Sequence, residues 1–198
     1  MTNIPSDLMD TFKEIHSDLA PVSTGQIVVA EWVRYKCRYG CPNYGRVLSC
    51  PPFSPTPGET KRLLAEYSTA VIIHAQTSPE PDRTPAQQHR HVNRCRDKLH
   101  RSVIEMERSA FLAGYYKAFA LGATPCYLCK TCVVVKKPQP GGEHSWTVPR
   151  CKHIDIMRPP MDAFGIDIFQ TAKNAGYDIG VLQSYSDTAD LYALLLIE

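Results

Sequence analysis

No stretch of the 198-residue sequence approaches the roughly 18 unbroken apolar residues that a membrane-spanning helix needs, so no helical span is expected. The first twenty residues, MTNIPSDLMDTFKEIHSDLA, lack the basic start and apolar centre of a signal peptide, which points to the cytoplasm. Charge of one sign is also missing: 22 Lys and Arg face 20 Asp and Glu, for a net +2. Nucleic acid and anionic membranes select a clustered cationic footprint, so neither is expected as a partner. The one dense patch, HRHVNRCRDKLHR at 89–101, reads as the solvated face of a helix. There is no Walker or Rossmann glycine loop and no Gly-x-Ser-x-Gly elbow, which leaves the commonest nucleotide-dependent and serine-hydrolase chemistries without support. Repeats, low-complexity tracts and an interdomain linker are absent too, and the expectation is a single domain over residues 1–198.

The patterning predicts an α/β fold: a mixed sheet of about five strands flanked by helices, with cysteine-rich loops at one edge. Leu8, Met9, Phe12 and Ile15 recur at helical spacing near the start. QIVVAEWVRY (26–35) is rich in β-branched and aromatic residues and reads as a strand entering Cys37, after a turn around 21–25. A short helix over 59–67 and a buried strand over 68–75 follow. From Pro85 to Ala113, Val92, Cys95, Leu99, Val103, Met106 and Ala110 form one stripe of a long helix, stopped by Gly114. YYKAFAL (115–121) reads as a strand running into the loop at Cys126, and residues 136–150 as a surface loop. Pro159 and Pro160 open a helical turn closed by Gly165, and a helix over 167–175 ends at Gly176. Residues 180–186 and 189–198 resemble a terminal hairpin.

What the sequence does have is cysteine. Eight are present, and in a reducing cytoplasm clustered thiols serve metals or catalysis more often than disulfides. Cys126, Cys129 and Cys132 form C-x2-C-x2-C, a pitch at which one short loop presents successive sulfurs to different irons of a [4Fe-4S] cluster. A lone Zn2+ is usually held by two separated C-x2-C pairs, so the third closely spaced cysteine favours iron–sulfur over zinc. Cys151 is the natural fourth ligand, although Cys50-Pro51 has the Cys-Pro form in which remote loops supply a fourth thiolate. CRYGCPNYGRVLSCPP (37–52) brings Cys37, Cys41 and Cys50 with no neighbouring fourth cysteine. Three thiolates leave one iron open to a small ligand; zinc completed by a histidine, or plain buried thiols, are the alternatives. Cys95 lies on the apolar stripe and reads as a packed thiol. Of the histidines, His153 stands two residues past Cys151, where an N–H donor would raise a cluster's potential.

CRYGC (37–41), NYG (43–45), CPP (50–52), CYLCKTC (126–132), Cys151-Lys152-His153 and MDAFGIDIFQTAKNAG (161–176) together resemble the predicted metal-binding proteins of domain of unknown function 2284. That resemblance spans almost the whole chain and implies metal binding in a single-domain architecture, with the reaction left open. Where the family often has proline after its Cys-x-His element, this chain has Ile154. The expectation is therefore an iron–sulfur protein of an anaerobic or strongly reducing cytoplasm with one or two [4Fe-4S] clusters. One function is that of an oxidoreductase or lyase whose open iron takes a small sulfur-, halogen- or carboxylate-containing substrate, positioned by Arg34, Arg38, Tyr39 and Tyr44. The others are an electron-transfer or redox-sensing module with two fully ligated clusters and a redox partner protein, the first site then closed by Cys95 or a histidine, and a structural zinc protein.

Overall fold

In the computed structural model, which describes residues 4–77, 84–136, 150–184 and 187–198, the chain runs through helix α1 (Ser6–Ile15), strand β1 (Leu19–Ser23), helices α2 (Glu31–Gly40) and α3 (Pro57–Leu64), and strand β2 (Thr69–Thr77). Helix α4 (Pro85–Leu112), strand β3 (Phe119–Leu121), the single turn α5 (Val133–Lys136), a 3-10 helix Met161–Phe164 (called the 3-10 helix below; a shorter one, Thr24–Gln26, follows β1), helix α6 (Ile168–Asn174) and strand β4 (Ala189–Leu196) complete it. The strands form one open antiparallel sheet in the order β1-β2-β4-β3.

The two central strands are apolar on both faces, and their alternation splits the core in two. Ala70, Ile72, Leu194 and Leu196 face one way and join Leu121, Met161, Phe164, Ile166 and Ala172. Val71, Ile73, Ala193 and Leu195 face the other and meet Leu8 and Phe12 of α1 with Leu99, Val103, Met106 and Ala110 of α4. A strand buried on both sides has no polar face to give to water, which is why these segments pair with each other. Helices α1 and α4 thus close one face. The 3-10 helix, α6 and the end of α3 close the other; the Cys37 helix lies beside the 3-10 helix, and the Cys126 and Cys151 segments are held to α4.

Several sequence expectations are met. The long helix begins at Pro85 behind Thr84, whose amide donates to Gln87 Oε1 (2.8 Å) and whose hydroxyl accepts from the Gln87 amide (3.4 Å), a reciprocal cap that satisfies two first-turn donors. Gly114 takes φ +100°, open to glycine, just past its end. The turn 161–164 closes at Gly165 (φ +74°).

Others are corrected. Four strands are present among the described residues, all antiparallel, instead of a mixed sheet of five. The segment 26–35 is not a strand: only the β-branched run before Glu31 is extended, with Val29 bridged to Ile166, and α2 starts at Glu31 because Val33 and Cys37, four apart, bury one helical stripe. The x3 spacing of Cys37 and Cys41 is therefore a helical step, and the Cys41 amide donates to the Cys37 carbonyl (3.3 Å). The stretch around Pro21 is edge strand β1, where a residue without an amide donor is tolerated. The 115–121 segment is strand only from Phe119. Residues 180–184 form no strand; Val181 and Leu182 are exposed, and β4 pairs with β2 and β3 instead of with a hairpin partner. Residues 185–186, and 137–149 of the expected surface loop, lie outside the described residues. Among the described residues, no helix is long and apolar enough to cross a membrane.

Candidate metal centre

Helix α2 delivers Cys37 into the interior on its last turn and leaves Cys41 at its C-cap. The chain then turns through Gly45 (φ +68°), whose amide donates to the Pro51 carbonyl (2.8 Å), and this returns Cys50 to the same place. Cys37 and Cys50 are buried. Asp162, on the 3-10 helix, and Cys41 act electrostatically on both buried thiols. One clamp holds the three segments together. The Arg34 guanidinium donates to Ser54 Oγ (2.9 Å), the Ser54 carbonyl (3.0 Å), the Pro55 carbonyl (3.2 Å) and the Ala163 carbonyl (2.9 Å). Expected as an anion-positioning residue, Arg34 spends these donors on backbone and hydroxyl acceptors.

Burial, with Asp162 and Cys41 beside it, pushes the Cys37 thiol up to about 11, against a pull downward from Arg34. Burial pushes Cys50 to about 12; the Ser49 hydroxyl 3.9 Å from its sulfur works against this, and Asp162, Cys41 and Cys37 add to it. Asp162 is raised by burial as well, tempered by its own and the Ala163 amides. Three thiols and one carboxyl thus lie within electrostatic reach of one another beside a single engaged guanidinium.

Both thiols hold their protons above the ordinary 9.0 of an unfolded chain, so the stability this confers on metal-free protein is intact below about pH 9 and disappears as pH rises towards 12. Denaturation of metal-free protein across that window is expected to show falling stability, and iodoacetamide is expected to label Cys37 and Cys50 last at neutral pH. Uniform labelling of all the cysteines would contradict it.

The second group grows from β3. Past Leu121, the Gly122 amide donates to the Pro159 carbonyl (2.8 Å) and the Met161 amide to the Gly122 carbonyl (3.1 Å), lacing the Cys126 loop to the segment after Cys151. Arg158 reinforces the lacing by pairing with Glu107 of α4, whose Oε1 also accepts from the Ala120 amide (2.8 Å). His100 Nε2 reaches the Ile156 carbonyl at 2.8 Å, and the Arg96 guanidinium lies 3.7 Å from the centre of the Tyr127 ring. So held, Cys126, Cys129, Cys132 and Cys151 line one open cavity of about 750 Å³, flanked by Arg46, Lys130, Lys136 and Lys152. Amides point at the sulfurs: Leu48 donates to Cys132 Sγ and His153 to Cys151 Sγ, each at 3.4 Å. Burial raises the Cys126 thiol, the Leu128 amide opposes the rise, and Cys151, Cys132 and Cys129 add to it. Among the described residues, no three or more His, Cys, Asp or Glu side chains are set as a cage for a single ion. The four cysteines share the wall of one open cavity.

The family to which such a chain belongs is set by comparison. Residues 20–197 match the family model described as a predicted metal-binding protein (DUF2284). The chain belongs to that family. No curated protein and no solved structure matches it.

Within this family member, seven of the eight cysteines fall into the two groups. Cys151 stands with Cys126, Cys129 and Cys132, whereas Cys50 stands with Cys37 and Cys41. Cys95 joins neither; its sulfur is 3.6 Å from His91 Nε2 on the same helix. His153 does supply a donor to the Cys151 sulfur, through its amide. Arg38 and Tyr39 are exposed, with Arg38 over the Tyr39 ring, and Tyr44 lies half-buried in the turn between Cys41 and Cys50. Three participants had no sequence signal of their own. Asp162 is one acidic residue in a turn, and Leu48 and Ser49 touch the second group although they precede Cys50 of the first: the Ser49 hydroxyl accepts from the Cys126 amide at 3.1 Å.

Proposed function

We propose that the protein carries two iron–sulfur clusters, one on Cys126, Cys129, Cys132 and Cys151 and a second on Cys37, Cys41 and Cys50 with a position that no cysteine fills. The observation that carries this reading is convergence: sulfurs from distant segments come together in two groups sharing the Leu48–Cys50 segment. The amides directed at Cys132 and Cys151 support it, since N–H donors to the ligating sulfurs stabilise delocalised thiolate charge and tune potential. The cations flanking the cavity offset that charge.

When loaded, the clusters supply one-electron transfer and, at the three-cysteine centre, Lewis acidity towards a small donor. The protein's part is to bury Cys37 and Cys50 away from water and to fix their spacing through Arg34. The function that follows is that of an enzyme, an oxidoreductase or lyase acting on a small sulfur-, halogen- or carboxylate-containing compound. Adjacency of the two groups favours a second reading, electron relay or redox sensing with a partner protein.

Anaerobic purification is the test. Brown protein with stoichiometric iron and acid-labile sulfide is expected, with Cys50→Ala losing one cluster and Cys95→Ala losing none. Colourless protein whose sites hold zinc overturns the reading, and cluster loss in Cys95→Ala removes the position free of cysteine.

A further inference from the structure

We propose that Asp162 is the non-cysteine ligand of the Cys37, Cys41 and Cys50 centre, an oxygen donor that a substrate displaces. The proposal rests on reading those three cysteines as an iron–sulfur site and adds a member from a part of the chain where no cysteine stands.

The placement of Asp162 is over-determined by its neighbours. Met161, Ala163 and Phe164 are all buried in the core, which fixes the backbone of the turn that carries this one acidic side chain. Behind it, Gly165 takes φ +74°, and a Cβ there would meet Pro57 Cγ at 2.9 Å. The Ala30 amide donates to the Gly165 carbonyl (2.9 Å), immediately before α2 begins. The turn is therefore pinned to the start of α3 and the entrance of α2, the elements on either side of the cysteine loop.

What the side chain meets there is the second half of the argument. Asp162 Oδ1 is buried and has no hydrogen-bond partner among the described residues. The nearby cation does not satisfy it, because Arg34 is committed to Ser54, Pro55 and the Ala163 carbonyl. Its own and the Ala163 amides serve the carboxyl but leave Oδ1 unpaired; a buried oxygen left so is costly, and native structures keep one where something else completes it. Its electrostatic partners are Cys37 and Cys50, so the completing group is one that carboxylate and thiolates share: a metal. Iron accepts both donor types, and a hard oxygen donor is a weaker partner than thiolate for an iron already bathed in sulfur. Such a position is held at rest and given up to a softer or chelating ligand, and it admits substrates by exchange.

The test compares anaerobically purified Asp162→Ala, Asp162→Asn and Asp162→Cys with wild-type and Cys50→Ala protein, reading iron and sulfide content and the paramagnetic-resonance spectrum of the reduced clusters. Asp162→Ala and Asp162→Asn are expected to keep the four-cysteine signal intact and to shift the g-values of the other centre. Asp162→Cys is expected to retain full iron at that centre and to resist displacement by added ligands. Loss of about half the iron in Cys50→Ala, with unchanged spectra in all Asp162 variants, overturns the assignment of Asp162 alone. Unchanged iron in Cys50→Ala overturns the underlying reading. Should the Asp162 variants fail to fold, wild-type protein in water enriched in 17O decides the matter: a carboxylate-held iron is expected to show no broadening, and broadening from bound water overturns the proposal.

Discussion

Arg34→Met is expected to lower stability by about 3–5 kcal/mol and, on the proposed ligand sets, to strip the Cys37, Cys41 and Cys50 group of metal while sparing the other. The guanidinium makes four hydrogen bonds to three acceptor-bearing residues on two separate segments. Hydrogen bonds to a charged donor contribute roughly 1.5–3 kcal/mol each, less when several share one group. Methionine fills the space without supplying any donor, so the Ser54 and Pro55 carbonyls are left unpaired and the Cys50 loop is released from the turn that carries Asp162. Arg34→Lys serves as the graded control, since an ammonium keeps the charge but cannot fan out to acceptors on both sides. Urea denaturation followed by circular dichroism, alongside iron content, reads both effects. A methionine variant with full iron and unchanged midpoint refutes the clamp.

Anaerobic removal of metal is expected to leave the sheet and long helices standing while the cysteine loops open. The two cores lie on the faces of β2 and β4, and no cysteine is part of either. By contrast, residues 41–56 and 122–132 form turns and bends without a helix or strand of their own. Far-UV circular dichroism should therefore change little. Trypsin cleavage at Arg46, Lys130 and Lys152, all exposed, should accelerate roughly a hundredfold, the factor that about 3 kcal/mol of lost local stabilisation implies. Global unfolding on chelation, or unchanged cleavage, contradicts this division between sheet and loops.

How far each feature was legible in the sequence follows from where its information lies. The stripe Leu99, Val103, Met106 and Ala110 repeats every three or four residues, and periodicity of that kind is local, so helix α4 could be read directly. The C-x2-C-x2-C run is local too, whereas the choice between Cys50 and Cys151 as its companion is not, and only the fold sets Cys151 beside it. Helix α2 was misread because Ile27, Val28 and Val29 carry a real extended preference that stops at Glu31, and only the burial of Val33 and Cys37 against the 3-10 helix overrides the aromatic residues beyond. Edge strand β1 was hidden by Pro21, whose tolerance depends on which neighbour it lacks. Asp162 and Arg34 were unreadable as partners for a stronger reason: they meet across more than a hundred residues through Ala163, and one carboxylate or guanidinium has no period to announce it.

Leu48, Ser49 and Cys50 follow one another in the chain, yet the first two touch the Cys126–Cys132 loop while the third belongs with Cys37. If both sites hold the proposed clusters, a through-bond path between them would be two peptide links and one N–H···S contact long. Reduction of either would then be felt by its neighbour as a shift in midpoint potential.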